Sequence, residues 1–91
     1  MPSGEDRLGF AGRRLTMMRA FGVRLQELRT KAGLSQDELA ERCRLRVSAI
    51  KKAEDGQTDP RLSVIEALAK GLDVSPTSLI KNLTREGTRH D

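Results

Sequence analysis

The sequence predicts an all-α domain built from five short helices. Apolar residues recur at intervals of three and four through most of the chain, which is the period of an amphipathic helix. Serines that can start helices and glycines that can end them divide this pattern into segments. No stretch alternates apolar and polar residues as a strand would. At 91 residues the chain can bury one modest core, so we expect a single compact domain.

The helical pattern occupies the middle of the chain. Residues 1–16 combine glycines, a proline and mixed charge, so we expect a flexible leader without a helix of its own. Residues 17–83 contain the five predicted helices. Residues 84–91, with the polar sequence TREGTRHD, are expected to form a flexible tail.

The first helix is predicted to begin near Met17 and to end before Gly33. Its apolar face is formed by residues spaced four, three and four apart: Phe21, Leu25, Leu28 and Ala32.

The segment 35–56, SQDELAERCRLRVSAIKKAEDG, is predicted to be two short helices joined by a tight turn. Ser35 and Glu38 form a capping box that starts the second helix, and Gly56 stands where a cap should close the third. The inward faces of the two helices are expected to carry Leu39, Ala40, Cys43, Val47, Ile50 and Ala53. Two helices that meet in this way are typical of the unit that places its second helix in a DNA major groove.

The sequence contains signals for the start of two further helices. Ser63 with Glu66 predicts a capping box for the fourth helix, and Ser75-Pro76 predicts the start of the fifth. The inward face of the fourth helix is expected to carry Ile65, Leu68, Ala69 and Leu72. The fifth has more apolar surface than a small terminal helix normally exposes, which predicts a two-fold dimer interface formed by Leu79, Ile80 and Leu83. Closure of the core over the first helix is the alternative, especially for Leu79.

Positive charge is concentrated near the third helix. The chain has 17 Lys and Arg against 13 Asp and Glu, a formal net charge of +4. Five of the basic residues lie in an eleven-residue stretch without an acid: Arg42, Arg44, Arg46, Lys51 and Lys52. Such a patch attracts phosphate, although an ordinary solvated face has the same composition. The chain has no Trp or Tyr and two Phe, so base stacking on single strands is not expected.

Several other classes of function are not expected. The single cysteine, Cys43, fits a small core residue in a reducing compartment. No apolar run approaches the roughly 20 residues of a membrane span, and no signal peptide is visible, so we expect a cytoplasmic protein. The one histidine, His90, lies in the tail, and no nucleophile–base arrangement, metal-ligand spacing or phosphate-binding glycine loop occurs. We therefore expect no enzyme, no metal, no cofactor and no small-molecule ligand.

Residues from about 21 to 83 carry a family pattern: Arg29 within LQELRTKAGLSQDELA, then Gln36, Ala40, Ile50, Glu54 and Gly56. In order and spacing these residues resemble the phage-repressor and Cro-like helix-turn-helix family, the XRE type. Its members are compact five-helix DNA-binding domains like that of the lambda repressor. The resemblance implies an ion pair between Arg29 and Glu54 that joins the first helix to the end of the third.

The resemblance also implies how DNA is contacted. The amide of Gln36 is expected to hold a phosphate at the start of the second helix, where the helix dipole favours an anion. The residues expected to meet base edges are Val47, Ser48 and Lys52, with core closure as an equal alternative for Val47. The residues expected to hold phosphates are Arg44, Arg46 and Lys51.

Three departures from the family pattern stand out. Arg44 occupies the turn position at which the family usually has glycine, so a left-handed backbone there would be strained. Arg46 replaces the usual Ser or Thr cap of the third helix. Asp55 and Asp59 place negative charge near the expected DNA backbone.

The sequence therefore predicts a small dimeric transcriptional regulator, such as a repressor, that binds a double-stranded operator expected to be palindromic. The alternative is a protein-interaction module on the same fold, for instance an antitoxin or an anti-repressor partner. The operator sequence, the direction of regulation and the biological system remain open, with phage immunity, restriction–modification and toxin–antitoxin control all compatible.

Overall fold

Five helices make up the computed structural model, which describes residues 3–81 and 83, with side chains from residue 12 onward. They are α1 (Ser3–Lys31), α2 (Gln36–Cys43), α3 (Val47–Glu54), α4 (Leu62–Leu72) and α5 (Pro76–Ile80). No strand occurs among the described residues, and the predicted five-helix, all-α fold is confirmed. The predicted tail, residues 84–91, lies outside the described residues.

A single hydrophobic core joins the five helices. Its most completely buried side chains come one from each helix: Leu25, Leu39, Ile50, Leu68 and Leu79. Burial of each such side chain contributes about 1.5–3 kcal/mol to folding. Helix α1 packs against α3 and α5, α2 packs against α3 and α4, and α4 packs against α5. Helix α3 is thus held by α1 and α2. None of the described helices has the length and hydropathy needed to cross a membrane.

The first helix is longer than the sequence predicts. It begins at Ser3 instead of near Met17, so the expectation that the leader has no helix is wrong for residues 3–16. The physical reason is cooperativity: once the packed residues from Phe21 onward have formed a helix, each further residue adds a hydrogen bond without a new nucleation step. The isolated glycines of the leader weaken such an extension but do not stop it.

The end of α1 and the start of α2 follow the predicted signals. Gly33 takes a left-handed φ of 75°, and the helix ends at Lys31. Ala32, predicted to face the core, is exposed because it lies beyond that end. The capping box is confirmed: the hydroxyl of Ser35 accepts the N–H of Glu38 at 3.0 Å, and the carboxylate of Glu38 accepts the N–H of Ser35 at 2.7 Å.

The predicted capping box of α4 is wrong. The helix begins at Leu62 with Arg61 as its N-cap, and no side chain caps it. Because Ser63 is already inside the first turn, its hydroxyl cannot take the extended capping position. In α5 the prediction holds, since the hydroxyl of Ser75 accepts the N–H of Ser78 at 3.3 Å and proline occupies the first turn.

Helix α5 is tied to α1 and turns one predicted interface residue inward. The Nε of Arg24 donates to the carbonyl of Ser78 at 2.7 Å, which holds α5 across α1. In this position Leu79 is fully buried, so its predicted place in a dimer interface is wrong. Its core-closing alternative is the one observed. Leu83 is partly buried against the same core, and Ile80 is 42% exposed.

Two glycines allow helices to approach closely. A Cβ on Gly22 of α1 would collide with the backbone carbonyls of Ala53 and Glu54 at the end of α3. A Cβ on Gly71 of α4 would collide with the sulfur of Cys43. Cys43 is buried as predicted, and desolvation raises the pKa of its thiol, which keeps it in the unreactive protonated form. These contacts fix the spacing of α1 from α3 and of α4 from α2.

We expect the substitution Gly22→Ala to lower the free energy of unfolding by about 1–3 kcal/mol, because the methyl group must displace the end of α3. Urea unfolding monitored by circular dichroism measures the change. Gly12→Ala is the matched control: a Cβ there meets no atom within 4 Å, so alanine should stabilise the helix by roughly 0.5–1 kcal/mol. Equal effects of the two substitutions would contradict the role given to Gly22.

Candidate nucleic-acid interface

The turn between α2 and α3 is closed by Arg44 in a left-handed conformation. Its φ and ψ are 58° and 41°, and the N–H of Leu45 donates to the carbonyl of Ala40 at 2.9 Å. This pattern closes the C-terminus of α2 as glycine usually does. A side chain in this region costs roughly 1–2 kcal/mol, so the turn keeps a tight geometry at the expense of stability.

The turn directs α3 so that only one side of the helix enters the core. Ile50 and Ala53 are buried, and Val47 packs partly against them. Arg46 is the N-cap and makes no side-chain capping bond, as predicted. The opposite side of the helix is exposed and carries Ser48, Ala49, Lys51 and Lys52.

A hydrogen-bonded network anchors the end of α3. The Nε and Nη2 atoms of Arg29 donate to the two carboxylate oxygens of Glu54 at 2.5 and 3.0 Å. The amide nitrogen of Gln36 donates to Glu54 Oε1 at 3.0 Å, and Arg29 Nη1 also donates to the carbonyl of Leu34 at 2.9 Å. One carboxylate therefore joins α1, α2 and α3.

The network is largely shielded from water. The side chains of Arg29 and Glu54 are 12% and 4% exposed, and the hydrogen bonds that Arg29 donates to Glu54 raise the pKa of its guanidinium. Because a bidentate pair satisfies both charges, loss of one partner leaves the other unpaired in a poorly solvated place and costs on the order of 3–5 kcal/mol. The ion pair predicted from the family resemblance is thus present in the structure.

The predicted phosphate-binding side chains surround the exposed side of α3. Arg44 and Arg46 are exposed in the turn, and Lys51 is exposed on the helix. Neither they nor Lys52 form an ion pair with any acid in the described part of the chain. Their charge is therefore available to an anionic partner.

Two of the residues predicted to contact DNA also make contacts within the domain. Gln36 is partly buried and uses one amide hydrogen on Glu54, which leaves its second N–H for another acceptor. Val47 packs against the core with part of its side chain and can offer only the remainder to a partner.

The sequence analysis did not predict that the loop after α3 forms one side of a groove beside this helix. Thr58 and Arg61, from the loop between α3 and α4, line a groove together with Ser48 and Lys52. The loop has no helical or strand period, so its sequence alone gave no indication of which side chains approach α3. Ala49 also lines the groove, and its methyl group is of a kind that contacts thymine methyls.

The two acids near α3 differ in their surroundings. Asp55 is the exposed C-cap residue of α3. Asp59 lies in the following loop, where the Nε of Arg14 donates to its Oδ2 at 3.4 Å. The negative charge expected beside the DNA backbone is therefore partly neutralised at Asp59.

Comparisons with known proteins give consistent matches. A family model described as a helix-turn-helix domain matches residues 20–79. The restriction-modification controller protein C.AhdI from Aeromonas hydrophila is 44% identical, with a TM-score of 0.67, over 68% of this chain and 94% of that one. Among curated proteins, none matches the sequence.

Two more distant structures share the fold. The restriction-modification controller protein C.Esp1396I is 22% identical, with a TM-score of 0.69, over 80% of this chain and 96% of that one. The clp gene regulator ClgR from Corynebacterium glutamicum is 20% identical, with a TM-score of 0.71, over 77% of this chain and 74% of that one. At these identities the likeness concerns the fold alone.

We expect Arg44→Gly to stabilise the domain by up to about 1 kcal/mol, because glycine takes the left-handed conformation without strain, and to weaken binding to duplex DNA. Thermal unfolding and fluorescence anisotropy measure the two effects. Asp73→Gly is the control, since Asp73 is also left-handed, with a φ of 59°, and lies at the end of α4. Asp73→Gly should stabilise the domain without reducing its affinity for DNA. Unchanged DNA affinity of Arg44→Gly would remove Arg44 from the interface.

Proposed function

Because this chain belongs to the helix-turn-helix domain family, we propose that it is a transcriptional regulator that binds double-stranded DNA sequence-specifically, with α3 in the major groove. It acts by binding, in the cytoplasm, and not by catalysis. The observation that carries the proposal is the exposed side of α3, whose basic side chains pair with no acid among the described residues, while the opposite side is fixed in the core. A helix exposed in this way fits the width of a B-DNA major groove.

The side chains divide into two roles. Arg44, Arg46 and Lys51 hold phosphates, which positions the protein without selecting a sequence. The free amide hydrogen of Gln36 adds a further phosphate contact, in a position fixed by Glu54. Phosphate contacts release counterions, so affinity falls steeply with salt.

Base selection falls to fewer groups. Lys52 can donate to guanine O6 and N7, and Ser48 can donate or accept, so it discriminates weakly. The exposed part of Val47 can meet a thymine methyl at the start of α3. None of these groups makes the bidentate contact that Arg makes to guanine or Asn to adenine, so much of the selectivity must come from groove shape and from a second subunit.

A homodimer would supply the second subunit. Ile80 is exposed at the end of α5, in a groove whose apolar lining includes Met17, Met18, Ile65 and Leu83. Arg14 and Asp59 also line this groove. Pairing of this surface about a two-fold axis would bury it and bring two copies of α3 to one palindromic operator. The two copies would then enter successive major grooves, about 34–36 Å apart.

The biological system is proposed from one relative. C.AhdI, at 44% identity, is a restriction-modification controller protein, which favours control of a restriction–modification locus among the three systems compatible with the sequence. A gel-shift assay tests this proposal. The protein should bind the DNA upstream of restriction and modification genes that lie next to its own gene.

Selection from a pool of randomised duplexes, followed by anisotropy measurements, tests the DNA-binding proposal. We expect Lys52→Ala to relax the preference at one base position by about 10-fold or more, the range for one base contact. Gln36→Ala should weaken all duplexes alike, because phosphates carry no sequence information. Uniform losses for both variants would remove Lys52 from base selection. Failure of the wild-type protein to bind any duplex at low salt would instead favour a protein-interaction module on this fold.

We expect Ile80→Asp to shift the protein from dimer to monomer, because a charge cannot be buried at the centre of an apolar interface. Sedimentation equilibrium measures the dissociation constant. Val23→Asp is the matched control: Val23 is 56% exposed on α1 and lies outside the groove beside α5. A dimer that survives Ile80→Asp but not Val23→Asp would move the interface to α1.

A further inference from the structure

The first part of α1 makes one charged contact with the loop that follows α3. The Nε of Arg14 donates to Asp59 Oδ2 at 3.4 Å, across 45 positions of sequence. Arg14 precedes residues 20–79, the range that matches the helix-turn-helix family model. The contact therefore links an extension of the family domain to a loop inside it.

Asp59 stands at the edge of the surface that faces DNA in the proposed function. It lines the same groove as Ser48 and Lys52, the two exposed residues assigned to base contacts. An unpaired carboxylate at this edge would repel phosphates and would also compete with DNA for the ammonium group of Lys52. A counter-ion on Asp59 removes both effects.

Stability does not explain the Arg14–Asp59 pair. The two side chains are 60% and 61% exposed, and ion pairs this accessible to water contribute little to folding. Their local electric field, in contrast, acts on any charged ligand that approaches within the Debye length of about 8–10 Å. The effect of the pair should thus appear in DNA binding and not in unfolding.

We propose that Arg14 is a positioning residue that neutralises Asp59, so that the N-terminal extension of α1 raises the affinity of the neighbouring α3 surface for DNA. Arg14 acts through Asp59 and makes no base contact. This inference rests on the proposed function, because it requires the groove beside α3 to face the DNA.

A double-mutant cycle tests the proposal on the full-length chain. Affinities of wild type, Arg14→Ala, Asp59→Asn and the double variant are measured by anisotropy with a duplex recovered from the selection. Arg14→Ala should weaken binding by about 3–10-fold, the effect of one uncompensated charge per subunit at the DNA edge. Asp59→Asn should bind at least as tightly as wild type. In the Asp59→Asn background, Arg14→Ala should then have almost no effect.

Arg13→Ala is the matched control. Arg13 is the exposed neighbour of Arg14 and makes no ion pair with an acid of the described chain, so its loss changes the net charge by the same amount. It should weaken binding by less than about 2-fold. Thermal unfolding and the dimer dissociation constant of every variant should stay close to wild type, which separates the electrostatic effect on DNA from changes in folding or in dimerisation.

Two outcomes would overturn the inference. Equal losses for Arg14→Ala and Arg13→Ala would reduce Arg14 to a contributor to net charge. A loss for Arg14→Ala that persists in the Asp59→Asn background would mean that Arg14 contacts phosphate directly. Lys52→Ala, measured alongside, reports on the proposed function itself. A loss of affinity for Lys52→Ala without coupling in the cycle would overturn the inference alone, whereas wild-type affinity of Lys52→Ala would remove the groove beside α3 from the interface and the inference with it.

Discussion

The carboxylate of Glu54 is the point at which three helices of this domain depend on one another. It accepts two hydrogen bonds from Arg29 of α1 and one from Gln36 of α2, and it belongs to the last turn of α3. Apolar packing alone is tolerant of small rotations, whereas a bidentate guanidinium–carboxylate pair fixes both distance and angle. The direction in which α3 leaves the core is consequently set by a polar interaction inside an otherwise apolar junction.

Backbone packing reinforces this constraint from the other side. The missing Cβ of Gly22 lets α1 touch the carbonyls at the end of α3, close to Glu54. Around α2, Gly71 and Cys43 meet in the same way, and Arg42 Nη1 donates to the carbonyl of Gly71 at 3.2 Å. Two close approaches and one ion pair therefore hold the helix-turn-helix unit between α1 and α4. The left-handed strain at Arg44 is tolerated because these contacts determine the turn around it.

Local sequence rules predicted much of this architecture, and the predictions that were wrong have identifiable physical causes. The cap at Ser35, the stop at Gly33 and the inward face of α3 depend on residues a few positions apart, which a sequence displays directly. The predicted start of α1 was wrong because cooperative hydrogen bonding extends a helix beyond the residues that pack against the core. The prediction that Leu79 lies in a dimer interface was wrong because the orientation of α5 depends on a hydrogen bond from Arg24. The two residues that this bond joins are 54 positions apart in the sequence. The Gln36–Glu54 bond and the approach of Thr58 and Arg61 to α3 are likewise consequences of tertiary packing, which no local pattern encodes.

The division of α3 into two sides has a consequence for how such a protein can change over time. Ile50 and Ala53 are buried and Glu54 is bonded to Arg29, and these three residues hold the helix in place. Ser48, Lys51 and Lys52, in contrast, are exposed to solvent. Substitutions of exposed side chains usually change the free energy of folding by no more than about 0.5 kcal/mol. New operator preferences can therefore be acquired on the outward side through single exchanges that leave folding intact. Evolution of a new regulatory target in this domain is limited by the DNA sequences available to it more than by the stability of its own fold.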